Sequence, residues 1–238
     1  MMDTSKPDRA MLVSFSGIDG AGKSTQIANL CDNMRAAGLK VRLITFWDDV
    51  AQLKPLREGA THKLFHGDRG VGSQESPIRR RDKDVRSPLM SLCRMAFYFL
   101  DALSLRRIAN KAVHSKVDVV IFDRYMYDEL ANLNLARSVT RLYVQSIMKI
   151  VPKPEISFLL DADPVVACAR KPEYPIEFLH LNRKVYLNLS QFIGGITVIP
   201  PNPLAEVKAE IARYIFGGRF AGVRLAQASA HPGDNMLL

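Results

Sequence analysis

Cysteine is scarce in this chain of 238 residues: the three cysteines, Cys31, Cys93 and Cys168, are widely spaced and odd in number. Because none belongs to a CxxC pair, the sequence predicts neither a disulfide framework nor a zinc site. No apolar run reaches the roughly 18 residues that cross a membrane, and the polar segment 1–9 lacks the apolar core of a signal peptide. We therefore expect a cytoplasmic protein without a membrane span.

Acidic residues are too few to balance the basic ones: 33 Lys and Arg face 24 Asp and Glu, a net charge of +9. Such an excess favours an anionic partner, although a solvated basic surface is the alternative. The basic run at 79–81 is followed by aspartates and contains no interleaved aromatics. We expect it to be a solvated loop, and we predict neither nucleic acid nor a membrane as a partner.

Short apolar runs alternate with segments of helical periodicity, which predicts an α/β fold with a parallel sheet of about five strands between two layers of helices. One domain is expected at 11–216, with an irregular loop region at 48–88, a flexible N-terminus at 1–10 and a flexible tail at 217–238. The predicted strands are 11–16, 41–46, 117–122, 156–160 and 197–199. The predicted helices are 24–37, 88–115, 127–150, 165–169, 177–192 and 204–216.

Residues 17–24, Gly-Ile-Asp-Gly-Ala-Gly-Lys-Ser, match the pattern GxxxxGK[ST] between a predicted strand and a predicted helix. Glycines let successive backbone N–H groups face an anion, and the N-terminus of the helix adds partial positive charge. Lys23 can reach the β- and γ-phosphates, and the Ser24 hydroxyl can hold Mg²⁺. The sequence therefore predicts a nucleotide-binding phosphate loop, made of Gly17, Ile18, Asp19, Gly20, Ala21, Gly22, Lys23, Ser24 and Thr25.

A phosphate loop alone is compatible with a GTPase, a motor ATPase or a small-molecule kinase. The segment 110–113, Asn-Lys-Ala-Val, lacks the aspartate of a guanine-binding NKxD motif, and the strand at 117–122 is followed by Asp123-Arg124 rather than by adjacent acids. At the carboxyl end of a strand, Asp123 can hold Mg²⁺ or orient an acceptor, and Arg124 can bind phosphate. A surface ion pair is the alternative for these two residues, and a loop-stabilising turn is the alternative for Asp19.

Three segments resemble the thymidylate kinase family: 15–26 (Phe-Ser-Gly-Ile-Asp-Gly-Ala-Gly-Lys-Ser-Thr-Gln), 123–125 (Asp-Arg-Tyr) and 158–164 (Phe-Leu-Leu-Asp-Ala-Asp-Pro). The resemblance covers about residues 11–216. It implies a P-loop kinase that transfers the γ-phosphoryl group of ATP, with Mg²⁺, to a nucleoside monophosphate such as dTMP. Homodimers are frequent in the family, so a second copy is a possible partner.

The resemblance also implies a role for each matching residue. Lys23 would contact the transferring phosphates and Ser24 the metal. Asp19 and Arg124 would lie at the acceptor, and Asp123 beside both the metal and the acceptor.

The match is weaker on the acceptor side. Ser16 stands where the family usually has an acid before the loop glycine, and the family's base-recognising arginine falls near Ala102. The Pro-Gly element usual after the second strand is replaced by residues 45–49, Thr-Phe-Trp-Asp-Asp. A nucleoside or another small molecule therefore stays open as the acceptor, as does a nucleotide-binding protein without catalysis.

The phosphate loop contains no arginine, so charge on the transferring phosphoryl group needs a cation from elsewhere. Arg170, with Lys171, precedes a proline-containing segment that is expected to form a lid at about 170–178. Arg183 is a second candidate. A solvated basic helix face is the alternative for both arginines.

The roles of two groups of large apolar residues can also be predicted. Trp47, with Phe46, could stack on a base or pack in the core. On the predicted helix 88–115, the large apolar residues are expected to face the core; they are Met90, Met95, Phe97, Phe99 and Leu103.

Overall fold

The structure, a computed structural model, describes residues 9–51 and 88–220, with the backbone alone for 88–90. The predictions of a flexible N-terminus at 1–10, an irregular loop at 48–88 and a flexible tail at 217–238 lie largely outside these residues.

Strands and helices alternate along the described chain, as the hydrophobic pattern predicts. The five strands are β1 (Met11–Ser16), β2 (Val41–Thr45), β3 (Val119–Asp123), β4 (Ile156–Leu160) and β5 (Thr197–Ile199). The seven α-helices in the described ranges are α1 (Lys23–Ala36), α2 (Pro88–Val113), α3 (Met126–Leu130), α4 (Ser138–Ile150), α5 (Pro164–Arg170), α6 (Ile176–Ile193) and α7 (Leu204–Phe216).

The strands form one parallel sheet in the order β2-β3-β1-β4-β5. All six residues of β1 are buried, in agreement with their continuous apolar sequence. The chain adds strands first on one side of β1 and then on the other. In parallel α/β sheets, ligands commonly bind at such a reversal, here at the carboxyl end of β1. The predicted α/β/α fold with a five-stranded parallel sheet is confirmed.

Helices cover both faces of the sheet and form two cores. On one face α1 and α7 pack through side chains such as Met34 and Ile215 onto Phe15 of β1. On the other face α2, α3, α4 and α6 pack through side chains such as Leu105 onto Phe122 of β3. The second face also carries buried polar side chains near the carboxyl end of the sheet, and they belong to the site described below.

Two predicted elements differ from the structure. The strand predicted to reach Phe46 ends at Thr45, whose N–H donates to the Asp49 carboxylate at 2.8 Å, and a π-helical turn follows over Phe46–Val50. The helix predicted over 127–150 is two helices, α3 and α4. Between them, the Asn134 side chain accepts from the Ala136 N–H at 2.9 Å, a local bond that competes with the helix. The remaining boundaries lie within two residues of the predicted ones.

Among residues 9–51 and 88–220, no helix is both long and apolar enough to span a membrane.

Candidate active site

The phosphate loop packs closely against the end of β4 and against α5. Gly17, Gly20 and Gly22 all have positive φ angles, of 142°, 83° and 86°. A Cβ atom on Gly17 would lie 2.5 Å from the Leu160 carbonyl oxygen, and one on Gly20 would lie 2.3 Å from the Ala167 carbonyl oxygen. Both backbone conformation and space therefore require glycine at these two positions.

Lys23, the first residue of α1, folds back into the loop. Its Nζ donates to the carbonyl oxygens of Gly17 at 2.8 Å and Ile18 at 2.9 Å. Burial lowers the pKa of Lys23 to about 8, and repulsion from Arg124 acts in the same direction. The lysine is thus a buried cation that the loop carbonyls orient.

Ser24 and Asp123 supply oxygen atoms near the loop. Ser24 is exposed in the first turn of α1, and Asp123 is half-buried at the end of β3. Burial raises the pKa of Asp123, whereas the charges of Lys23 and Arg124 oppose that shift. A hydroxyl and a carboxylate are ligands that Mg²⁺ accepts, usually together with phosphate oxygens and water.

The same described residues contain no group of three or more His, Cys, Asp and Glu side chains that could hold a metal ion by themselves. Magnesium bound by one or two protein oxygens and a nucleotide fits this arrangement.

Arg124 joins the end of β3 to the phosphate loop. Its φ is +68°, and its Nη2 donates to Asp19 Oδ1 at 2.5 Å. Burial alone would raise the pKa of Asp19, but Arg124 and then Lys23 hold it below its usual value. For Arg124, burial alone would lower the pKa, but the negative charges of Asp128 and Asp19 raise it. The structure therefore brings together the four predicted residues Asp19, Lys23, Asp123 and Arg124.

The two candidate lid arginines occupy different environments. Arg170 is exposed in the last turn of α5, and its Nη1 lies 3.9 Å from the position of a Cβ atom on Gly22. Arg183 instead donates twice to the Asp161 carboxylate, at 2.6 and 2.7 Å. Arg170 thus lies beside the phosphate loop, whereas Arg183 forms an ion pair with Asp161, the residue that follows β4.

On the acceptor side, Ala102 is fully buried in the core and offers no polar group. Of the two aromatic residues that could stack on a base or pack in the core, Phe46 is fully buried in the core, whereas Trp47 is 40% exposed. Trp47 lies two positions beyond Thr45, which pairs with Asp123 in the sheet. An exposed aromatic side chain therefore follows the strand next to the site.

Asp128 in α3 is not among the site residues predicted from the sequence. This buried carboxylate accepts from Ser16 Oγ at 2.6 Å and from Tyr186 Oη at 2.8 Å, and its Oδ1 lies 3.4 Å from Arg124 Nη1. The signal available in the sequence was a pair of adjacent acids, Asp128 and Glu129, within an otherwise apolar helix four residues after Arg124. Arg124 precedes α3 and has a φ of +68°, so no helical spacing pairs it with Asp128.

Comparison with known proteins gives curated relatives along most of the chain, although no family model matches the sequence. A protein of Archaeoglobus fulgidus named "Probable thymidylate kinase" is 24% identical over 215 residues, which is 86% of this chain and 94% of the relative. A protein of the same name from Pyrobaculum aerophilum is 33% identical over 213 residues, which is 85% of this chain and 95% of the relative.

Solved structures agree at the level of the fold. Thymidylate kinase from Ehrlichia chaffeensis superimposes with a TM-score of 0.54 at 20% identity, over 87% of this chain and 98% of that one. Thymidylate kinase from Candida albicans gives a TM-score of 0.56 at 16% identity, over 88% and 92% of the two chains. Since the relative from Pyrobaculum aerophilum is 33% identical over 85% of the chain, this chain belongs to the thymidylate kinase family.

Proposed function

We propose that this protein catalyses the Mg²⁺-dependent transfer of the γ-phosphoryl group of ATP to a nucleoside monophosphate, of the type dTMP to dTDP. The observation that carries the proposal is the ion pair between Arg124, after β3, and Asp19, inside the phosphate loop. It joins a donor-binding loop to an acceptor-side guanidinium, and a phosphotransferase needs both at one place.

The donor half binds ATP through the loop glycines and the N-terminus of α1, which present backbone N–H groups to the phosphates. Lys23 adds a positive charge at the β- and γ-phosphates. Ser24 and Asp123 hold the magnesium ion, which supplies charge neutralisation between the phosphates when it is bound.

The acceptor half positions the monophosphate for attack. The guanidinium of Arg124 binds its phosphate group through a planar pair of N–H donors. Asp19, next to Arg124, and Asp123, at the end of β3, face the same space and orient the acceptor. The acceptor phosphate is itself the nucleophile, so no covalent enzyme intermediate is needed, and catalysis consists of positioning and charge stabilisation.

Arg170 supplies the arginine side chain that the phosphate loop lacks. It lies beside Gly22 at the end of α5, where the proposed lid of about 170–178 begins. Closure of this segment over bound nucleotide would bring the guanidinium to the transferring phosphoryl group and exclude water.

A second copy of the chain is the partner we propose for the exposed apolar face of α2 and α4. These helices are joined where Tyr143 Oη donates to the Met95 carbonyl oxygen at 2.5 Å. Phe99, predicted to face the core, is 43% exposed, so that prediction is wrong for this residue. The exposed apolar side chains of this face are Leu92, Phe99, Leu100, Val139 and Leu142. If the face forms a dimer, Leu142→Glu will halve the mass measured by sedimentation equilibrium.

The test of the activity is ADP release from Mg·ATP with a panel of nucleoside monophosphates, nucleosides and a blank without acceptor. We expect dTMP to accelerate release, Lys23→Ala to abolish it, and Lys40→Ala, which changes an exposed lysine, to leave it unchanged. Acceleration by a different acceptor only would replace the substrate. Retained ATP binding with no acceleration by any acceptor would contradict the proposal and favour a non-catalytic nucleotide-binding protein.

A further inference from the structure

Asp128 is a buried carboxylate that four donors surround. Its side chain is 4% exposed. Oδ2 accepts from Ser16 Oγ at 2.6 Å and from the Tyr125 N–H at 3.0 Å, and Oδ1 accepts from Tyr186 Oη at 2.8 Å and faces Arg124 Nη1 at 3.4 Å. A carboxylate with this many donors is held in one place by the surrounding protein.

The four donors come from three different parts of the fold. Ser16 is the last residue of β1, directly before the phosphate loop, and Arg124 and Tyr125 follow β3. Tyr186 belongs to α6, the helix that follows the proposed lid. Asp128 therefore links the donor loop, the acceptor arginine and the helix behind the lid.

Arg124 needs such a link because its own backbone is unfavourable. Its φ of +68° is a conformation that residues with side chains adopt rarely, and only contacts with the rest of the protein can maintain it. Asp19 contacts Nη2 from the loop side and Asp128 faces Nη1 from the α3 side. The guanidinium is thus oriented between two carboxylates, and only Asp128 is deeply buried and anchored by other donors.

We propose that Asp128 is a positioning residue for the phosphoryl acceptor: with Ser16 and Tyr186 it holds the Arg124 guanidinium at the place where the acceptor phosphate binds. The inference rests on the proposed function, because it assigns Arg124 to the acceptor. Helix capping alone would explain only the contact with the Tyr125 N–H and leaves the other three unexplained.

The Ser16–Asp128 pair also accounts for a departure of this sequence from the family it resembles. The acid usual before the loop glycine is replaced by Ser16, and a carboxylate contributed by α3, that of Asp128, accepts a hydrogen bond from the Ser16 hydroxyl. The Ser16 hydroxyl and the Asp128 carboxylate are in direct contact, at 2.6 Å. An exchange of the two groups should therefore preserve the pair.

The first test is steady-state kinetics of Asp128→Asn with dTMP and ATP varied separately. The amide keeps the size of the side chain but turns an N–H₂ group toward one pair of donors. We expect the KM for dTMP to rise by about tenfold or more, because hydrogen bonds to a charged group are lost. The KM for ATP should change much less. Tyr127→Phe is the control, since it changes the neighbouring buried residue of α3 by removing a hydroxyl that lies 3.2 Å from Ser157 Oγ.

The second test is the exchange Ser16→Glu with Asp128→Ser. Each single variant leaves either two acids or none in the buried pair, and we expect both to bind dTMP weakly. The double variant should recover most of the lost affinity for dTMP, measured by calorimetry as well as by KM. A double variant no better than the sum of its parts would overturn the proposal, because the side chains at positions 16 and 128 would then not act as a pair.

The remaining outcomes separate this inference from the proposed function. An unchanged KM for dTMP in a folded Asp128→Asn protein overturns the inference and leaves the kinase in place. A wild-type protein that binds ATP but phosphorylates none of the nucleoside monophosphates contradicts the proposed function. If Asp128→Asn fails to fold, Tyr186→Phe, which removes one donor and keeps the charge, must still raise the KM for dTMP more than the KM for ATP; equal changes would overturn the inference.

Discussion

Arg124 and Asp19 are 105 positions apart in the sequence, yet the guanidinium of one donates to the carboxylate of the other at 2.5 Å. The contact exists because β1 and β3 are parallel neighbours, with Phe15 paired to Asp123. Segments that follow the two strands therefore meet at the same edge of the sheet. The donor loop and the acceptor arginine are joined by topology rather than by sequence proximity.

Arg124→Lys tests whether the shape of the guanidinium matters at this contact. A lysine keeps the charge but cannot face Asp19 and Asp128 with two separate nitrogens. We expect kcat/KM for the acceptor to fall by about 10- to 100-fold. Arg213→Lys, an exposed change on α7 beside Glu210, is the control. An Arg124→Lys protein as active as this control would show that charge alone suffices.

Lys23 predicts a pH dependence of nucleotide binding. Because burial lowers its pKa to about 8, the free protein loses this charge as the pH rises through about 8. Phosphate binds the charged form, so the affinity for ADP without Mg²⁺ should be highest near about pH 7, where the ADP phosphates are ionised and Lys23 is charged. It should fall as the pH rises above about 8, by at most about tenfold per pH unit. Calorimetric titrations from acid to alkaline pH measure this, and a profile equally steep in Lys23→Ala would assign it to another group.

The same shift has an effect on stability of opposite sign. Between about 8 and its usual value of 10.5, Lys23 binds fewer protons in the folded protein than in the unfolded chain. The contribution of this group to the free energy of unfolding therefore rises with pH over that interval.

Gly20→Ala and Gly38→Ala form a matched pair. Both glycines have a φ near +80°, but a Cβ atom would lie 2.3 Å from the Ala167 carbonyl oxygen at Gly20 and would meet nothing within 4 Å at Gly38. We expect Gly38→Ala to lower the free energy of unfolding by about 1 to 2 kcal/mol. Gly20→Ala should lower it by about 2 to 5 kcal/mol and weaken nucleotide binding. Urea denaturation measures the free energy of unfolding of both variants. Equal decreases would mean that the close contact between Gly20 and α5 does not restrict the side chain at position 20.

Arg170→Ala and Arg183→Ala distinguish the two candidate lid cations. Since Arg170 lies beside the loop and Arg183 is bound to Asp161, we expect Arg170→Ala to reduce kcat by roughly 10³-fold with little effect on stability. Arg183→Ala should mainly lower the free energy of unfolding, by roughly 1 kcal/mol. Single-turnover kinetics with saturating ATP and dTMP separate these cases, and a larger loss of kcat in Arg183→Ala would reverse the assignment.

The strands, the α/β class and the phosphate loop could all be predicted because each depends on short-range signals. Residues 119–122 of β3 are apolar and mostly β-branched, as is typical of a strand that is buried on both sides. Gly17 and Gly20 are required by local φ angles and close approaches. Where a local side-chain bond competes with the regular pattern, prediction was wrong. The break before α4, at Asn134, is one example, and the turn stabilised by Asp49 is another.

The sequence by itself determined the loop that can bind nucleotide, the parallel α/β architecture and the resemblance to one kinase family, because these are encoded in adjacent residues and in periodicity. Only the tertiary structure decided that Asp128 lies against Ser16 and Arg124, that Arg183 is committed to Asp161, and that Phe99 faces outward. These facts depend on which side chains meet after the chain has folded, and hydrogen bonds between distant residues leave no period or spacing in the sequence.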